Sequence, residues 1–375
     1  MKHIITALGA LAVSSTLAQA GGFERSSVPL GFMFEKGSYA ELTFGIVNPS
    51  VKGRAIGALG GAASGNVAKN YSQLGVAFKT DLNEKLSLGI SLDPSFGADI
   101  AYRAATGFPI QGSTATLRGD TIALIGRYQF DSGFSALAGV RSVGVGGGVS
   151  LSRNMVIPSV GLVPVNGYKA NFKTDRDLGY VVGVAYEKPE IALRVGLTYS
   201  TETTHELQTT GVFLNPLTGL PVAFTTPTTV ELPKSVTFDF QSGVAANTLV
   251  FGSIRWMDWT ATRLIAPNAG PANPLIDYDN DVITYSLGVG RKFNEQWSGA
   301  VSVSYEDSNG LLASNLSPTD GLFSLQVGGS YTRDKMKISG GVRYVKIGDA
   351  SALGGGSHFE GNSAVAVGMK IGLSF

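Results

Sequence analysis

The stretch Ala364-Val-Ala-Val-Gly-Met-Lys-Ile-Gly-Leu-Ser-Phe375 decides the fold. From Val365 every second residue is large and apolar: Val365, Val367, Met369, Ile371, Leu373 and Phe375. Ala366, Gly368, Lys370, Gly372 and Ser374 fall between them. A period of two places one set on each face of a strand. The sequence closes on an aromatic, and an uncovered strand edge in a soluble protein invites aggregation. In a closed outer-membrane barrel the last strand pairs with the first, and the edge disappears. Its apolar face then meets lipid and its small or polar face meets the lumen. The segment reads as a closing barrel strand, with a buried sandwich strand as the alternative.

The opposite end is consistent with export. Lys2 and His3 precede an apolar run from Ile4 to about Leu17, followed by Ala18-Gln19-Ala20, a small-x-small cleavage pattern. This is the pattern of a secretory signal peptide over residues 1–20. The run is too short for a comfortable helical span of ~20 residues. The mature chain is expected to begin near Gly21 without any cysteine, so no disulfide framework supports it.

Composition narrows the class further. Charged residues make up 15% of the 375 and glycine accounts for 50, against the ~25% charged that is typical of soluble proteins. Mean hydropathy is +0.15. No uninterrupted apolar stretch of ~18 residues follows the signal, which excludes helical spanning. Backbone groups in lipid must be satisfied internally, so a closed barrel is the remaining way to cross. A net charge of +1 gives no case for nucleic acid.

Short polar turns recur at Asp81–Lys85, Asp131–Gly133, Glu187–Glu190, Ala245–Asn247, Asn294–Gln296 and Arg333–Lys335. Longer Gly/Pro/Thr-rich segments, roughly 54–68, 95–115, 150–173, 205–231, 264–279, 309–319 and 350–361, alternate with them. Alternating apolar runs flank each short turn, as Tyr180, Val182, Val184 and Tyr186 do before one and Val195, Leu197 and Tyr199 after it. The count is about fourteen strands, an even number, with short turns on the periplasmic rim and long loops outside. Aromatics such as Tyr128, Phe130, Tyr186, Trp297 and Tyr344 near run ends suit interfacial girdles. The fold class is therefore all-β, a transmembrane antiparallel barrel over 38–375. Parity sends Glu41, Arg127, Arg141, Arg194, Asp239, Arg255 and Arg343 into the lumen, since charges on the lipid face cost ~2–4 kcal/mol each. A network of lumen ion pairs accounts for this set; a substrate track is the alternative.

Several stretches resemble the FadL-type long-chain fatty acid and hydrophobic-compound transporters of Gram-negative outer membranes. They are Glu231-Leu-Pro-Lys-Ser-Val-Thr-Phe-Asp-Phe240, Phe251-Gly-Ser-Ile-Arg-Trp-Met-Asp-Trp259, Tyr285-Ser-Leu-Gly-Val-Gly-Arg-Lys-Phe-Asn294 and the C-terminal strand. Asp93-Pro-Ser-Phe-Gly-Ala-Asp99 is similar to the family's stretch after its third strand. The resemblance runs from about residue 38 and implies a barrel of the same strand count. The family's longer N-terminal plug is reduced here to residues 21–37, which are expected to tuck into the lumen through Phe23, Phe32 and Phe34.

Little points to catalysis. After the signal only His205 and His358 remain, both in expected outer loops and read as solvated. There is no Cys/His cluster for a metal, and no cofactor is called for. Gly144-Val-Gly-Gly-Gly148 lacks the Lys-Ser/Thr of a phosphate loop and reads as a strand end where backbone approaches closely. Two outer segments, Met155–Val165 and Gly211–Phe224, are apolar where loops should be polar, which marks a binding surface, with mutual packing that closes the barrel top as the compatible alternative. The site expected from them is a rim of Met155, Ile157, Leu162, Phe213, Leu214, Leu220 and Phe224. Arg127, Arg141 or Arg255 then takes a carboxylate head by charge-assisted pairing. The function that follows is passive uptake of a long-chain fatty acid or similar hydrophobic compound. The alternatives are a diffusion porin for small polar solutes and a structural surface barrel. Outer-membrane lipid, lipopolysaccharide and the barrel assembly machinery are the expected partners.

Overall fold

The computed structural model describes residues 22–27, 30–152, 154–157, 161–164, 167–215, 217–268, 274–310, 312–352 and 355–375, of which 154–157 and 161–164 by backbone alone. The export signal read over residues 1–20 lies outside the described residues. Fourteen strands form the barrel. In chain order they are β1 (Tyr39–Ser50), β2 (Tyr71–Asp81), β3 (Leu86–Ala101), β4 (Thr114–Gln129), β5 (Phe134–Leu151), β6 (Tyr168–Lys188) and β7 (Leu193–Ser200). The second half comprises β8 (Ser235–Ala245), β9 (Thr248–Met257), β10 (Val282–Lys292), β11 (Trp297–Glu306), β12 (Leu322–Arg333), β13 (Met336–Ile347) and β14 (Asn362–Ser374). Neighbours in sequence pair antiparallel. β14 closes the ring on β1 from Tyr39↔Ser374 to Ser50↔Ser363, and the Phe375 N–H donates to Ser38 O at 3.0 Å.

Alternation explains the wall. Leu42, Phe44 and Ile46 on β1, Leu74, Val76 and Phe78 on β2, and Val365, Val367 and Met369 on β14 are all exposed on the outer face. Burying such side chains in lipid supplies the hydrophobic term that water cannot. Ring pairs sit beside the short turns: Tyr128 with Phe130 at 5.0 Å, Phe134 with Tyr186 at 4.9 Å, and Trp297 with Tyr331 at 4.9 Å. Several inward charges are tied to partners. Lys370 lies 3.4 Å from Glu41, which also accepts from Tyr39 Oη at 3.2 Å.

The structure corrects two expectations. Residues 205–231 do not form a loop. Thr203–Leu214 and Pro221–Leu232 make a hairpin that extends β7 and β8 beyond the apolar band, and Lys169–Phe172 of β6 pairs with it. Its Thr- and Val-rich runs are strand-forming, and its outward residues Thr204, Glu206, Gln208 and Thr210 are polar because they face water rather than lipid. His205, read as solvated, is fully buried on the inner face of this hairpin. Inward parity switches between Ser200 and Thr203, which a continuous period of two cannot anticipate.

Candidate functional site

The upper lumen contains an apolar cavity. Leu117 from β4, Val145 and Val149 from β5, and Phe172 from β6 form one side. Leu207, Val230 and Leu232 come from the hairpin, and Leu264, Leu275, Ile276 and Tyr278 from the segment between β9 and β10. Gly146 and Gly147 let neighbouring strands close on the cavity: a Cβ there would lie 2.6 Å from Thr174 Oγ1 and 2.1 Å from Thr116 O respectively. The glycine run read as a place of close approach is therefore cavity wall. Tyr278, Ser314, Ser317 and Thr116 supply the only hydroxyls among the described lining residues.

The N-terminal segment reaches this cavity from below. Phe23 lines it, is buried, and packs on Trp259 at 4.8 Å, Phe96 at 6.0 Å and Tyr278 at 6.1 Å between ring centroids. Gly22 has φ +91° and lies against the Trp259 indole, where a Cβ would come within 2.5 Å; only glycine fits. Glu24 makes a two-point pair with Arg255, Nε to Oε2 at 3.1 Å and Nη2 to Oε1 at 2.7 Å. Such forked pairing is the strong geometry for a guanidinium. Lower down, Phe32 and Met33 are buried over Gly89, and Phe34 lies under the guanidinium groups of Arg127 (4.4 Å) and Arg194 (4.5 Å). Lys79 donates to Glu35 O at 2.7 Å and Gly37 O at 3.0 Å, tying the segment to β2.

The wall parts beside this segment. β2 and β3 pair only from Asp81↔Ser87 to Val76↔Leu92. Pro94 has no N–H to give to a ladder, and a bulge between Asp93 and Phe96 turns the following residues over. Leu88, Ile90 and Leu92 are exposed, whereas Phe96 and Ile100 are buried. Higher up, the Lys69 N–H reaches Asp99 O at 2.9 Å, so the parting is bounded above as well. The β3 edge within it is met from inside. Gly97 N–H donates to Phe23 O at 2.9 Å, and Arg25 N–H and Ser26 N–H donate to Ser95 O at 2.7 and 3.2 Å. Arg25 spans the gap, 3.2 Å from Asp99 on β3 and 3.9 Å from the Tyr71 ring centroid on β2.

The residues expected to form the site fall in three groups. Phe213 and Phe224 pack at the edge of the cavity's apolar cluster, 6.2 Å apart, with Phe224 stacked on buried Tyr168 at 6.1 Å. Leu214 is half exposed beside Gly167, and Leu220 is 64% exposed near the hairpin tip. Met155, Ile157 and Leu162 belong to a small hairpin, Asn154–Ile157 with Gly161–Pro164, whose side chains lie outside the description. None of the three arginines lines the cavity. Arg127 is bonded to Glu187, Ser135 and Met33 O, Arg141 to Thr201 O, and Arg255 to Glu24. Sequence reading missed Leu207, Val230, Leu232 and Tyr278. The alternation of His205, Leu207 and Thr209 was the available signal, hidden because a polar outer face lowers the apolar count.

The sequence signature of a family described as outer membrane protein transport protein (OMPP1/FadL/TodX) matches residues 13–361. The chain belongs to this family. A FadL homologue of Pseudomonas aeruginosa superposes with a TM-score of 0.74 at 13% identity over 92% of both chains. The toluene transporter TodX of Pseudomonas putida gives 0.68 at 16% identity over 98% of both. The toluene transporter TbuX of Ralstonia pickettii gives 0.64 at 14% over 97% of both. At such identities the likeness is one of fold. No curated protein sequence matches the chain significantly. As a FadL/TodX-family member, the barrel is an outer-membrane transporter of hydrophobic compounds.

Proposed function

We propose that this barrel passively admits long-chain fatty acids or similar hydrophobic compounds across a Gram-negative outer membrane and catalyses no reaction. The observation that carries the reading is the apolar cavity closed below by Phe23. A compound gathers at the outer rim near Phe213, Leu214 and Phe224, with Met155, Ile157, Leu162 and Leu220 on the surrounding hairpins. It then moves into the cavity, where each buried apolar side-chain equivalent gains ~1.5–3 kcal/mol over water. Residues 23–26 are the partition between that cavity and the parted wall, since Phe23 lines the first and Ser26 the second. Displacing them joins the two and delivers the compound sideways at the height of exposed Leu74 and Leu92. No energy input enters this sequence of steps. Arg127, Arg141 and Arg255 all hold partners; Arg255 would be freed for a carboxylate head only if displacement of the segment carrying Phe23 took Glu24 with it. A diffusion porin is not favoured by a lumen this apolar and this filled. Outer-membrane lipid and lipopolysaccharide would surround the exposed band, and the assembly machinery would receive the β14 edge.

Filling the cavity tests the proposal. Ala115→Trp, combined with Val149→Phe, should lower uptake of a labelled hydrophobic compound by about ten-fold, the scale of overpacking a formed cavity. Heat-modifiable migration reports that the variant still assembles. Unchanged uptake in an assembled variant would take the cavity out of the path.

A further inference from the structure

The parted wall holds a small cavity of its own, lined in part by Glu41, Gln73, Gly75, Asp93 and Pro94 beneath Ser26. Among the described residues two acceptors in it have no donor. Asp93 is 7% exposed and its Oδ2 has no hydrogen-bond partner; Gln73 is 6% exposed, gives its Nε2 to Arg25 O at 3.2 Å, and leaves Oε1 unpartnered. The placement is built into the backbone. A Cβ at residue 75 would lie 2.9 Å from Asp93 Oδ1, so glycine there makes room for the carboxyl group. Among the described residues no lysine or arginine lines the cavity. Glu41 is already matched by Lys370 at 3.4 Å, and the nearby Arg25 is turned to Asp99 and Tyr71. Buried acceptors without donors are rare and call for a group that supplies them.

We infer that Asp93 Oδ2 and Gln73 Oε1 form a subsite for the hydrogen-bond-donating head group, a hydroxyl or an amine, of an otherwise apolar compound. The same oxygens repel a carboxylate. This rests on the transport reading above and narrows its cargo: the apolar body occupies the upper cavity, and the head group is sorted where the wall parts. A hydroxyl donates to a carboxylate more strongly than to a neutral acceptor, whereas a carboxylate head offers these oxygens only further lone pairs.

The test compares decanol, decanoate and decane taken up by the full-length barrel in lipid vesicles, each against empty vesicles. Decane has no head group and serves as the reference. The wild-type protein should favour decanol over decanoate. Asp93→Asn removes the charge at constant shape, and the alcohol-to-acid ratio should fall by about ten-fold. Gln73→Leu, which leaves Asp93 in place, should lower the alcohol-to-alkane ratio alone and decides the matter if Asp93→Asn does not assemble. Unaltered ratios in an assembled variant would mean that water alone satisfies these oxygens, and would overturn the subsite. Failure of the wild-type barrel to take up any of the three would instead overturn the transport reading, and the subsite with it.

Discussion

The barrel wall is interrupted twice, and the two interruptions are repaired in different ways. Between β6 and the β7 extension, regular pairing stops at Val181↔Ser200 and resumes at Phe172↔Thr209. The wall's own side chains fill the interval. Asp177 accepts from Thr204 N–H at 2.8 Å and Asp175 from Glu206 N–H at 3.2 Å, while Thr201 and Tyr180 exchange two further bonds of 3.0 Å. Between β2 and β3 the exposed edge is met by residues 23–26, a segment that belongs to neither strand. A seal made by the wall cannot leave without unfolding it. A seal made by a separate segment can be withdrawn while every barrel strand stays paired. The first interruption is thus architecture, and the second has the build that the proposed sideways passage requires.

Removing residues 22–27 should break this contrast most visibly. The full-length barrel is expected to carry little steady current in planar bilayers, because residues 22–27 and 30–37 lie in the lumen beside β2 and β3. The shortened barrel should give stable open channels. Equal currents from the two proteins would show that the segment seals nothing. The matching change at the other interruption, Asp175→Ala with Asp177→Ala, should leave the bilayer silent. Its effect belongs to stability: about 1 kcal/mol for each lost bond to partly hydrated backbone, read as faster proteolysis of the 203–232 hairpin. A large current from that double variant would make both interruptions passages and remove the distinction.

The same contrast marks what could be read from sequence. Strand number, the short turns and the lipid face followed from a period of two that lipid enforces on residues such as Val365, Val367 and Met369. Where lipid ends, the rule loosens. The hairpin 203–232 alternates as regularly as any barrel strand, but its outer face is Thr, Glu and Gln, so its apolar count resembles that of a loop. Parity reverses at Asp93–Phe96 and between Ser200 and Thr203, and no local pattern states on which face the chain resumes. Pro94 was a visible reason for the first reversal; what repairs it, residues 23–26, lies some seventy positions away in sequence. Lumen arginines were placed on the correct face, while their partners, Glu24 for Arg255 and Met33 O for Arg127, depend on a segment with no periodicity to read.

The smallest expected effect separates the two repairs by pH. His205 is buried beside the β6 interruption, with Nε2 3.1 Å from Thr203 Oγ1 and Nδ1 3.6 Å from Asp175 Oδ2. Burial pushes its pKa below the ordinary 6.5; Asp175 and Asp177 oppose that shift, and Arg141 adds to it. The folded hairpin therefore holds a neutral imidazole, and the opened hairpin takes up a proton more readily. Stability from this group is complete above the ordinary value and is lost as pH falls below it toward the depressed one. Protection against amide exchange across 203–232, taken relative to the intrinsic rate at each pH, should fall over that interval, and His205→Gln should flatten the dependence. The β2–β3 parting has no histidine, so exchange at Gly97 should show no matching slope from this source. A hairpin indifferent to pH in the wild-type protein would mean that His205 meets water, and that the wall-owned seal is looser than its geometry indicates.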